Sequence, residues 1–97
     1  MDMETLMAQA QDLQTKISAA QDSLAQMHVK GLSENGAVVV TMTGKYDIVS
    51  VVISDNAITL GAKKLSDLVA DAYKDAKAKA DTLIEKVMSS VTGGLPE

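Results

Sequence analysis

From Met3 to Met27, apolar residues recur at alternating steps of three and four: Met3, Leu6, Ala10, Leu13, Ile17, Ala20, Leu24 and Met27. Met3, Ala10, Ile17 and Leu24 hold one seam position of a heptad; Leu6, Leu13, Ala20 and Met27 hold the other. A period of about 3.5 residues keeps such a stripe turned toward one partner helix along its length. Residues 2–27 are therefore predicted to form a helix that packs on another helix. Its outward positions (Gln9, Gln11, Asp12, Gln14, Lys16, Gln21, Asp22, Gln26) are polar and mostly good helix formers.

The period then shortens to two. His28 to Ser33 reads as a first strand, and Asn35-Gly36 supplies the φ > 0 pair of a tight hairpin. Ala37 to Thr43 is a second strand, with Val38, Val40 and Met42 on one face and Val39, Thr41 and Thr43 on the other. Gly44-Lys45-Tyr46-Asp47 turns the chain into Ile48 to Ile53, where Val49, Val51 and Ile53 are in phase and Ile48 and Val52 lie opposite. A meander over 28–53 with two partly apolar faces and open edges aggregates unless something covers it. Val38, Val40, Met42, Val49, Val51 and Ile53 form the predicted core or dimer-interface set.

A second long helix is predicted over 62–91, where Leu65, Leu68, Val69, Ala72, Tyr73, Ala76, Ala80, Leu83, Ile84, Val87, Met88 and Val91 fall on one wide stripe. Thirty residues span roughly 45 Å at about 1.5 Å each. A sheet of short strands does not cover that length, so the helix is expected to overhang and meet the first helix or another subunit. Gly93-Gly94 reads as its cap, and 92–97 as a tail. The predicted fold class is α+β: one α-β-β-β-α domain over 1–97, with a three-stranded antiparallel sheet flanked by the two helices.

Composition sharpens this. A chain of 97 residues with no Phe, no Trp and only Tyr46 and Tyr73 must build its core from Val, Leu, Ile, Ala and Met. At this size roughly 60–65% of the extended surface is buried on folding, and a homodimer is expected to make up the shortfall. The absence of cysteine excludes disulfides and thiolate metal sites and fits a reducing cytoplasm. Asp2 and Glu4 with no apolar run argue against a signal peptide, and no stretch approaches the roughly 18 apolar residues of a membrane span.

Net charge is −4, from nine lysines, no arginine and thirteen acids. The first helix carries −3 and the long helix +1, so a polyanion is expected to meet the long helix. At 100° per residue, taken as about the helical step, Asp67, Asp71, Asp75, Asp81 and Glu85 sit on the outward face. Lys79 and Lys86 line one border of the apolar stripe and Lys77 the other. Two readings follow. The lysines lie along the core edge and pair at i,i+4 (Asp75 with Lys79, Lys77 with Asp81), or the borders of two symmetry-related helices converge into a basic groove.

Catalytic chemistry finds no constellation. His28, the one histidine, has no nucleophile or ligand partners in pattern. Asp67, Asp71 and Asp75 lack the Gly-containing loop of a calcium site, and Thr92-Gly93-Gly94 lacks the lysine-bearing phosphate loop. No enzyme, metal or cofactor is expected.

Several strings, in order, resemble the YbaB/EbfC family of small bacterial nucleoid-associated proteins. They are Leu6-Met7-Ala8-Gln9-Ala10-Gln11, Val29-Lys30-Gly31, Val38 to Lys45, Ile48 to Ile53, Asp67 to Ala76 and Thr92-Gly93-Gly94-Leu95-Pro96. The Asp67 to Ala76 stretch is similar to the family's signature on the long helix. The resemblance implies a homodimer joined through its sheets, with helices projecting like tweezers. It also implies duplex DNA binding, mainly through the phosphate backbone, in nucleoid organisation or gene regulation in the cytoplasm. Carried over, DNA contact falls to Lys16, Lys74, Lys77, Lys79 and Lys86. The missing arginine and acidic first helix support one alternative, a dimeric protein-interaction module of the same fold without DNA binding.

Overall fold

The computed structural model describes residues 2–92. It runs α1 (Met3–Gln26), β1 (His28–Leu32), β2 (Val38–Thr43), β3 (Ile48–Ile53), α2 (Asp55–Ile58) and α3 (Ala62–Thr92). The α-β-β-β-α order read from the sequence holds, with one short helix added before α3. The predicted Gly93-Gly94 cap lies outside the described residues.

Each boundary has a local cause. The Asp2 carboxylate accepts the Thr5 N–H at 2.8 Å and so caps α1, since the first turn's N–H groups lack helical partners. The β1–β2 connection tightens into a 3₁₀ turn at Glu34–Gly36, where Asn35 (φ 60°) and Gly36 (φ 70°) take the left-handed pair expected of them. Ser54 caps α2 through the Ala57 N–H at 3.2 Å, a signal that a four-residue helix was too short to make conspicuous.

The sheet is antiparallel in the order β1-β2-β3. The long α3 lies along β1 and β2, and its end runs beside α1. The core forms between α3 and one sheet face. Val38, Val40 and Met42 are 0–1% exposed beneath Leu68, Ala72, Ala76 and Ala80. Those alanines exist because α3 sits unusually close. A Cβ on Gly31 of β1 would fall 2.2 Å from both the Ala72 carbonyl oxygen and the Ala76 nitrogen. Gly44 plays the same part for α1: its N–H donates to the Leu24 carbonyl at 2.9 Å, and a Cβ there would meet Leu24 at 2.8 Å.

The third strand departs from the predicted phasing. Thr41 pairs with Ser50 and Met42 with Ile48, so Val49 is an extra residue bulged out of the ladder. Ile48, not Val49, therefore joins Val51 and Ile53 opposite the Val38, Val40 and Met42 row. That row is buried, but β3 is not, because α3 covers only the first two strands. Ile48, Val49, Val51, Val52 and Ile53 are all 36–60% exposed.

Candidate nucleic-acid interface

The molecule is 67 Å long and only 21 by 16 Å across, because α1 and α3 leave the sheet together as an antiparallel arm. Ala20 and Leu24 of the heptad seam are buried, and a groove of about 590 Å³ opens between the two helices. Ala19, Met27, Leu83 and Val87 contribute its apolar lining, and Lys16 and Lys86 line it from opposite helices. These two lysines, 70 residues apart in sequence, are thus brought together on the arm. Lys16 also pairs with Asp12 at 3.1 Å, an exposed i,i+4 contact of at most about 1 kcal/mol that a phosphate can displace.

The other lysines divide. Lys74 is exposed, and like Lys86 it has no carboxylate within ion-pair distance among the described residues. Lys77 stands 5.8 Å over the Tyr46 ring and 3.8 Å from Asp81. The hydroxyl of Tyr46 in turn donates to Asp81, which pushes the Tyr46 pKa above its ordinary value. This latches the β2–β3 turn to α3, with Tyr46 held at φ 68°. Nothing in the sequence singled out Tyr46 for that role; the contact spans 35 positions.

Lys79 is occupied by the fold. Its ammonium donates to the Lys30 carbonyl at 2.8 Å and pairs with Asp75 at 3.0 Å, while Asp75 accepts the Leu32 N–H at 2.9 Å. Lys30 and Leu32 are the β1 residues whose backbone groups point away from β2. The Asp75–Lys79 pair therefore offers an acceptor and a donor where a fourth strand would, and closes that edge. The Leu32 N–H, and after it Lys79, hold the Asp75 carboxyl below the usual carboxylate range. This corrects the expected outward acidic face: Asp75 and Asp81 both turn to the sheet, because backbone and phenol donors lie within reach. Among the described residues the β3 edge has no comparable closure, and its sequence Ile-Val-Ser-Val-Val-Ile carries no charge.

Among the described residues no helix is long and apolar enough to cross a membrane.

Comparison with known proteins agrees with this architecture. The chain is 39% identical over 95 residues to a nucleoid-associated protein of Bradyrhizobium diazoefficiens, covering 97% of this chain and 90% of that one. It is 40% identical over 91 residues to a nucleoid-associated protein of Bordetella avium, covering 94% and 84%. The crystal structure of an uncharacterized Helicobacter pylori protein shares the fold with a TM-score of 0.63 at 19% identity, covering 91% of this chain and 98% of that one. The model of the YbaB/EbfC DNA-binding family matches residues 1–95, and the chain belongs to that family.

Proposed function

We propose that this protein is a nucleoid-associated homodimer that grips duplex DNA by its phosphate backbone, without catalysis. The observation that carries the reading is the arm, where Lys16 and Lys86 from two helices line one groove. Nucleoid-associated relatives at about 39% identity support it. The dimer is proposed to form along β3, the uncharged apolar strand that α3 leaves open and the side of the sheet with no substitute partner. Doubling the chain places a second arm beside the first and doubles the lysines offered to phosphate.

Lys16, Lys74, Lys77 and Lys86 are the proposed phosphate contacts. Lys79, which the sequence pattern put with them, is proposed to act through β1 instead, by keeping the sheet edge closed. With no arginine for bidentate base contact, affinity is expected to come from counterion release rather than base readout. Eight lysine contacts in a dimer correspond to a slope of about −7 in log K against log salt.

The test is fluorescence anisotropy of a labelled duplex of about 30 base pairs at about 50 and 200 mM salt. Binding that falls by orders of magnitude across that range supports the reading. Lys16→Gln with Lys86→Gln is expected to weaken it uniformly across sequences and flatten the slope. No binding at the lower salt, from a folded dimer, removes the DNA role and leaves a protein-interaction module that keeps the fold.

A further inference from the structure

The heptad stripe of α1 is longer than its partner. Val91, near the end of α3, lines the same groove as Lys16, so α3 covers only the sheet-side half of the stripe. Residues 3–15 run on past it for roughly 20 Å at about 1.5 Å per residue. There Met3 is 74% exposed, Met7 57% and Leu6 46%, and Ala10 is exposed as well. Among the described residues the stripe is one continuous seam, half filled by α3 and half bare.

We propose that the bare half is filled by the same segment of α1 from a second copy, antiparallel to it, so that two arms join tip to tip. The charges select this arrangement. With Met3, Ala10 and Ile17 at a and Leu6 and Leu13 at d, Asp2, Gln9 and Lys16 fall at the flanking g positions and Met7 at e. In an antiparallel pair a packs on d, g faces g and e faces e. The register that sets Met3 against the second copy's Leu13 also sets Leu6 against its Ala10. The same register opposes Asp2 to the other Lys16 on both ends, Gln9 to itself and Met7 to itself. Every apolar side chain gains a partner and both flanking charges meet their opposites. A parallel pair sets g against e, so Asp2 meets Met7, Gln9 meets Gln14 and Lys16 meets Gln21, and neither flanking charge finds an opposite. The pairing stops at Lys16, where α3 takes over the seam, so the second copy continues an interface that α3 has begun.

Whether the two arms of one sheet-joined dimer run side by side or diverge, their tips do not meet antiparallel, so in this arrangement the tip contact links different dimers. It is separate from the β3 edge, and either interface can fail without the other.

The chain has no cysteine, so single cysteines report the register cleanly. Gln9→Cys, Lys16→Cys and, as an outer-face control, Gln11→Cys are treated with a short bismaleimide in the absence of DNA, because Lys16 also serves phosphate in the reading above. Gln9→Cys is expected to cross-link to itself several-fold faster than the control. Lys16→Cys alone is expected to match the control, since the two copies lie about 21 Å apart along the axis. Mixed Asp2→Cys and Lys16→Cys chains are expected to cross-link to each other. Leu6→Lys is expected to abolish the Gln9→Cys product while the sheet dimer keeps its mass in light scattering. Self-linking of Lys16→Cys as fast as Gln9→Cys shows parallel arms and overturns the proposal. Gln9→Cys no faster than Gln11→Cys overturns it too.

Discussion

Gly31→Ala tests the closeness of α3 to the sheet with a single methyl group. The added Cβ falls 2.2 Å from the Ala72 carbonyl oxygen, 2.2 Å from the Ala76 nitrogen and 2.6 Å from the Ala76 Cα. All three are backbone atoms, so no rotamer change relieves the overlap, and the helix must withdraw by about 1 Å to restore ordinary contact. A gap of that size forfeits about a quarter to a half of each dispersion contact it opens. The contacts at stake are those of Val38, Val40, Met42 and Leu68, which form the core with the α3 alanines. Inserting a methyl into a packed core typically costs about 1–3 kcal/mol, and a backbone obstacle puts this one at about 3 kcal/mol. For a chain of 97 residues that is a fall in Tm of about 12–24 °C. Urea unfolding at one fixed protein concentration measures it, since a dimer's midpoint moves with concentration. Ala76→Gly added to Gly31→Ala is expected not to restore stability, because the obstacle is main chain. A Gly31→Ala midpoint within about 0.5 kcal/mol of the unchanged protein, the range of an ordinary surface substitution, refutes the close-approach account.

Val51→Lys puts a charge on the open strand and is expected to halve the mass seen by light scattering while the helical circular dichroism is kept; an unchanged mass removes β3 from the interface. Asp75 titrates below its ordinary 3.8 when folded, so its contribution is present above that pH and is lost as pH falls through the lower folded value. Asp75→Asn is expected to flatten acid destabilisation below about pH 4, and an unaltered acid limb counts against the edge closure. Tyr46 is shifted the other way: its contribution is full below 10.0 and is lost as pH rises through the higher folded value. In an absorbance titration of the phenols, Tyr46→Phe is expected to remove a step that lies above the ordinary phenol range.

The sequence carried the two long helices and the three strands well because each had a local signature. The heptads defined α1, Asn35-Gly36 defined the hairpin, and Gly44 to Asp47 marked the turn into Ile48 to Ile53. The bulge at Val49 had none. Five of the six β3 residues are apolar, so shifting the register by one keeps the same chemistry on both faces, and periodicity has nothing to read. The candidate site was less legible. A helical wheel finds Lys79 and Asp75 as an i,i+4 pair, but their contacts to β1 span 49 and 43 positions. Only the fold turns a surface ion pair into a strand substitute. Lys16 and Lys86 pose the same problem in reverse: each looked ordinary on its own helix, and the antiparallel packing of α1 on α3 placed them across one groove.

Closing one edge of the sheet also fixes its valence. A three-stranded sheet with two free edges is bifunctional, and bifunctional units polymerise into ribbons. With Asp75 and Lys79 holding the donor and acceptor of β1, the sheet is left with a single free end, as a chain terminator leaves a growing polymer. In the proposed dimer, hydrogen-bonded growth then stops at the pair. Any longer assembly has to be built from the arms, where it can be made and unmade without unfolding a strand.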